Sequence, residues 1–421
     1  MTRSRLVAAS ALLVLATTGC VPGVGSLVGT PATRTALPAA PGIGGVLPVG
    51  FTASDGGFTA AGGTRTGTGV RFHGVGSLAG PGTQSEATDI NDRGVIVGAS
   101  AVPGTGTTHA FLMDPDGGRL TDLTPSDGRS TRAEVVNRFG VVAGTLGSVP
   151  GAGLPEPFVW RPRTGLEVLP LPPGAAGAQA VDLNDAGTVL VVGTDSTGVG
   201  LPVGSFLWDP AARTYTALPS TGPAGTGPVP IARTLDERGG VAGGLVSPAG
   251  EQVWHHTATV WEPGTLVPHT LSSGGGSDTF ATDRNENGMV VGWRMNAPGT
   301  APTAVYWPSA DAAPVGLPGQ VAFEVNDRGR IVGIRPVPGS SAFPFTAVMW
   351  EPDRDGRVRT TELGDESLGS YVNALNSSGR AAGYVVSTGE QGPYNVGGWW
   401  NPPRRGGGPA AGRTVARCRL S

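Results

Sequence analysis

Four carboxylates stand at one phase of an internal repeat: Asp89, Asp182, Asp283 and Glu324 each precede an asparagine by two positions. Gathered around an axis on the channel side of their strands, they would form a partial acidic ring able to hold Ca²⁺ or a cationic ligand. The ring would be partial because the matching positions of the other copies are Val135, Thr234 and Ala374. The plainer expectation is that each carboxylate bonds turn amides or an arginine of the next unit. The pairs Asn91-Asp92, Asn184-Asp185 and Asn326-Asp327 lack the spaced oxygen ligands of a calcium loop and read as turns.

Five histidines occur, at His73, His109, His255, His256 and His269. Adjacent residues of a strand point to opposite faces, so His255 and His256 are not expected to share a metal, and both read as surface residues. No HExxH, paired CxxC or GxSxG is found. The chain also has no lysine, which excludes a phosphate-loop GK[ST], a Schiff-base lysine and a Ser-Lys dyad. Local motifs therefore assign no catalytic residue, metal ligand or cofactor. A catalytic set dispersed over several repeats stays open, since it would leave no local signature.

The units that must position these groups recur seven times. Their anchors are Asn91, Asn137, Asn184, Asp236, Asn285, Asn326 and Asn376, spaced 41 to 52 residues apart. Three positions after each comes a glycine: Gly94, Gly140, Gly187, Gly239, Gly288, Gly329 and Gly379. An asparagine opening a tight turn can bond the backbone two residues on, and the glycine can take the left-handed conformation that a hairpin requires. Six copies add a second glycine four positions later; the third delays it to Gly193, which reads as a two-residue insertion. A leucine strand marks each copy at Leu78, Leu123, Leu169, Leu218, Leu271, Leu317 and Leu363. An aromatic strand ends 22 to 25 residues after each anchor, at Met113, Trp160, Trp208, Trp261, Trp307, Trp350 and Trp400. The aromatic stripe reads as core.

Four short strands per unit indicate an all-β fold, a seven-bladed β-propeller of four-stranded blades. The repeat region opens with a lone leucine strand, Arg71 to Leu78, and closes with the other three strands, Tyr371 to Trp400, so the two ends are expected to complete one blade. The alternative, an open β-solenoid, would need no complementary ends and would want caps. Composition agrees with many turns around a core: 71 Gly and 38 Pro beside nine Trp and 38% hydrophobic residues. A net charge of −3 leaves no electrostatic footprint for nucleic acid.

The first residues carry a different signal. Arg3 and Arg5 precede an apolar run from Leu6 to Ala16, then Thr17-Thr18-Gly19-Cys20, so residues 1–19 read as a signal peptide. The ending resembles the lipobox of bacterial lipoproteins, although Thr17 stands where that box usually has leucine. The resemblance implies cleavage before Cys20, a thioether lipid on it, and a membrane as partner. Simple secretion, with Cys20 incidental, is the alternative. Residues 20–70 are Gly, Pro, Thr and Ala with few large apolar side chains and read as a flexible tether, with a reach of roughly 40 Å. Residues 401–421 read as a disordered Arg/Gly-rich tail, in which Cys418 is a free thiol if Cys20 is lipidated.

His109-Ala110-Phe111, with units such as Ala87 to Gly98 and Ala322 to Gly333, resembles the bacterial extracellular HAF-family repeats over residues 71–400. Only one copy carries the full His-Ala-Phe; the Asn-Gly motif carries most of the likeness. The resemblance implies export and a propeller-like fold, and no particular activity. The expectation is a non-catalytic binding or scaffold propeller tethered at the outer face of the cytoplasmic membrane or cell surface, with an unspecified protein or glycan ligand. The alternative is a propeller hydrolase or lyase acting on extracellular glycan or polyester.

Overall fold

The computed structural model describes residues 70–401 except 115–117, 126–127, 148–153, 197–201, 223–226, 251–252, 298–299, 339–344, 365–368 and 390–391. The segment read as a signal peptide, Cys20, the segment read as a tether up to residue 69, and residues 402–421 with Cys418 lie outside the described residues.

Among the described residues twenty-eight strands form seven four-stranded antiparallel sheets, each in simple up-and-down order. The inner strands are Ser85–Ile90, Thr131–Val136, Gly177–Leu183, Val229–Leu235, Asp278–Arg284, Val321–Val325 and Ser370–Leu375. Each touches the next, and the last touches the first, so the sheets are blades of a closed seven-bladed β-propeller. Closure is made by Arg71–Gly74, which pairs with Gly392–Asn401 from Arg71 opposite Asn401 to Gly74 opposite Gly398. The complementary ends of the repeat region thus share the seventh blade, through a strand shorter than the expected 71–78.

Local chemistry sets the blade. All seven turn glycines have φ between 72° and 90°, which an L side chain resists. The second glycine answers a bulge in the inner strand. In the first blade Ala87 pairs with Gly98 and Asp89 with Val97, so Thr88 is the extra residue. A Cβ on Gly98 would lie 1.9 Å from the carbonyl oxygen of Glu86. The third blade corrects the expected insertion: Val191 holds the second-glycine position, paired with Ala180, and no residue is inserted. Gly193 lies farther along, opposite Gly204, where a Cβ would meet Ala175 at 2.9 Å and the Phe206 ring at 3.1 Å.

Each seam between blades buries a leucine from one outer edge beside the aromatic strand of the next blade. Leu169 lies with Trp208, Leu218 with Trp261, Leu271 with Trp307, Leu317 with Trp350 and Leu363 with Trp400. Burying side chains of this size contributes about 1.5–3 kcal/mol each, which makes the seams the main store of stability. The closing seam differs, since Val75 meets Met113 there. The backbone N–H of Val75 bonds the third strand as those of Leu123 and Leu169 do, so Val75, not Leu78, is the seventh member of the series.

Candidate functional site

Each inner strand runs into its anchor turn, so the anchors gather at one end of the central channel. Asn91 Oδ1 accepts the N–H groups of Arg93 and Val95, both at 3.0 Å, while its side-chain amide donates to the carbonyl of Asn137 in the next blade at 2.9 Å. The same donation passes from Asn137 to Asn184, from Asn285 to Asn326, from Asn326 to Asn376, and across the closure from Asn376 to Asn91. Asp236 keeps the accepting half, from Arg238 and Gly240, but has no N–H to give. Its other oxygen pairs instead with Arg284 of the next blade at 3.0 Å, and Gly240 leaves room for that pair.

The four acids of the repeat phase tie neighbouring blades. Asp89 accepts from Ile90 and from Val136 of the next blade, each at 2.7 Å. Asp182 accepts from Leu183 and Leu235, Asp283 from Arg284 and Val325, and Glu324 from Leu375. These bonds leave the carboxylates close enough across the axis to repel one another. Burial, with that repulsion added, pushes Asp89 and Asp283 up to about 7 and raises Glu324 well above the usual carboxylate range. Burial raises Asp182 as well. The Thr234 hydroxyl lies 3.1 Å from Asp182 and 2.8 Å from Asp283. A hydroxyl has one proton, so both contacts become hydrogen bonds when one carboxyl carries a proton of its own.

The mouth of this end is tied too. The N–H groups of Arg138, Asp185, Glu237 and Glu286 donate in turn to the carboxylates of Asp185, Glu237, Glu286 and Asp327, and Ser377 donates to Asp92. The carboxylates at the anchor end therefore act as backbone acceptors between blades.

The far end of the inner strands is built otherwise. Arg132 reaches Glu86 of the first blade through two bonds, at 2.8 and 3.1 Å, and Glu134 Oε2 at 3.0 Å. Burial opposes its charge, but Glu86 and Glu134 outweigh burial and raise the Arg132 pKa. Asn373 donates to the carbonyl of Ala87 at 2.8 Å, joining the seventh blade to the first. Facing this network is Arg233, the bulge residue of the fourth blade. It makes no hydrogen bond or ion pair with any described residue, and burial lowers its pKa to about 10 against the pull of Glu134 and Asp182. Tyr371 and Tyr384 stack at 5.5 Å, and Phe323 leans on Tyr371 at 5.1 Å. Burial raises both tyrosine pKa values, and neither hydroxyl has a partner among the described residues. Sequence reasoning did not single out Arg233, Arg132, Glu134, Tyr371 or Tyr384.

The histidines are scattered. His73 stacks on Trp399, His109 Nδ1 lies 2.8 Å from Asp122, and His269 lies 3.5 Å from Asp311. His255 and His256 do not behave as opposed neighbours: their Nδ1 atoms lie 3.4 and 3.7 Å from the same Asp278 oxygen. The reason is that Asp278, from the next blade, accepts the backbone N–H of His256 at 2.9 Å and so sits at the strand edge between them. His256 is buried, correcting its reading as a surface residue, while His255 is half exposed. Among the described residues no group of three or more His, Cys, Asp or Glu is arranged to hold a metal ion.

No family model and no curated protein matches this chain. Its structure is similar to that of a streptogramin B lyase, with a TM-score of 0.47, 12% identity, and coverage of 77% of this chain and 95% of that one. It is similar to the β-propeller domain of the Trilobed protease from Pyrococcus furiosus, with a TM-score of 0.47, 10% identity, and coverage of 76% and 94%. TolB from Acinetobacter baumannii gives a TM-score of 0.41 and 14% identity over 66% of this chain, which spans 63% of that protein. These likenesses concern the fold alone.

Proposed function

We propose that the protein is an extracytoplasmic binding propeller, held to a membrane by a lipid on Cys20, whose ligand enters the channel at the end opposite the anchor turns. The observation that carries this reading is the contrast between the two ends. Anchor-end polar groups are consumed in ties between blades, whereas Arg233, Tyr371 and Tyr384 converge at the far end with side-chain donors that bond none of the described residues. A half-buried guanidinium left unmatched costs stability unless water or a ligand meets it. The order of basic, apolar and small residues before Cys20, and the HAF-like repeats, support export and tethering.

Two experiments test the parts separately. Ligand-observed NMR on the full chain should find small molecules whose signal transfer disappears in Arg233→Met; equal transfer in both proteins would sink the channel site. Fatty-acid labelling should vanish in Cys20→Ala; an unlabelled wild type free in the medium would sink the tether.

Asp278 favours a second, catalytic reading. Despite its burial, hydrogen bonds from His256, Ser277 and His255 hold its pKa low, and a carboxylate beside a half-exposed imidazole can orient a general base. Turnover of a glycan or polyester that is lost in both His255→Ala and Asp278→Asn would establish it.

A further inference from the structure

We infer that the channel ligand is a neutral, hydroxyl-rich molecule, a sugar, held by Arg233 and the Tyr371 and Tyr384 hydroxyls against Phe323. This rests on the channel being a binding site, and it follows from which hydrogen-bonding groups are left over. The far-end tier carries two guanidinium groups, Arg132 and Arg233, and two carboxylates, Glu86 and Glu134, so its formal charge is balanced. Arg132 spends its bonds on Glu86 and Glu134. Left open among the described residues are the five N–H donors of Arg233, two tyrosine hydroxyls and Glu134 Oε1.

A purely accepting ligand, such as a carboxylate or phosphate, would match Arg233 but meet Glu134 here and the tier of Asp89, Asp182, Asp283 and Glu324 beyond it. A purely donating ligand, such as an amine, would match those carboxylates but meet Arg233. A hydroxyl both donates and accepts, so it can sit between Arg233 and Glu134 without a buried mismatch. Two vicinal hydroxyls also match the fixed fork of a guanidinium. The C–H face of such a ring suits the apolar side of the channel, where Phe323 stands beside the stacked tyrosines.

The test is a panel of neutral, uronic-acid and amino sugars presented to the full chain on an array, with calorimetry on the hits. The expected result is binding of a neutral sugar that weakens at least tenfold in Arg233→Met and in Arg233→Lys, which keeps the charge but loses the fork. Tyr371→Phe should weaken it severalfold, and circular dichroism should show all three variants folded. Preference for uronic acids or amino sugars, still lost in Arg233→Met, would overturn the ligand class and leave the channel site standing. Absence of any sugar binding, with a carboxylate or amine bound in an Arg233-dependent way, would do the same. Sugar binding equal in wild type and Arg233→Met would overturn both.

Discussion

The two ends of the channel use similar polar side chains for opposite purposes. At the anchor end an asparagine satisfies its own turn and then reaches one blade onward, and a carboxylate two residues earlier does the same with backbone amides. At the far end Arg132 bonds Glu86 and Glu134, while Arg233 and the hydroxyls of Tyr371 and Tyr384 have no hydrogen-bond partner among the described residues. The lesson is that polarity alone does not mark a site. What matters is whether the protein has already used each donor and acceptor.

The largest expected effect breaks the frame that both ends share. Deleting Arg71–Val75 strips the edge of Gly392–Asn401 and removes buried Phe72 and Val75, so denaturant unfolding should show a loss of more than about 4 kcal/mol. Asn326→Ala comes next. It removes two turn bonds and one between blades, a loss of about 3 kcal/mol at roughly 1 kcal/mol per bond. Asn326→Asp keeps the accepting half, as Asp236 does, but should still lose the bond between blades, since its second oxygen would meet the Asn376 carbonyl and Leu375 stands where Asp236 finds Arg284.

Acidity should sharpen the contrast. Asp89 and Asp283 have folded pKa values raised to about 7, above the usual value near 4, so the folded state holds protons that the unfolded state has released. Their penalty is absent below about pH 4, grows as pH rises, and is complete above about pH 7. Melting temperature should therefore rise as pH is lowered from 8 to 5, and Asp283→Asn should flatten that slope. A steeper slope in the variant would contradict the assignment. The smallest effect belongs to the far end: Tyr384→Phe removes a hydroxyl that bonds none of the described residues and should shift unfolding by no more than about 0.5 kcal/mol.

How much of this could be read from the sequence follows from the range of the forces involved. The anchor turns, the seven blades and the closing ends were legible because each rests on short-range chemistry repeated in phase. Val75 was missed because a valine fills the last leucine place and Leu78 stands nearby. Val191 was missed because a glycine two positions on imitated an insertion. The second half of the work of five asparagines was out of reach, since the partner lies 41 to 50 residues along the chain, or across the closure. Arg233 escaped for a different reason. The bulge turns two consecutive residues toward the channel, and only the later one had drawn attention. The residues at its phase, Thr88, Glu134, Val181, Arg233, Thr282, Phe323 and Asn373, differ from blade to blade, and that variety was the available signal.

The most direct test of the contrast is equilibrium unfolding of Asn326→Ala and Arg233→Met, measured side by side at neutral pH without ligand. If one end holds the ring and the other is kept open for a ligand, Asn326→Ala should lose about 3 kcal/mol. Arg233→Met should match wild type or exceed it, because a half-buried guanidinium that bonds none of the described residues has been removed. A loss in Arg233→Met as large as that in Asn326→Ala would show that the guanidinium holds the ring together, and the distinction between the two ends would fall.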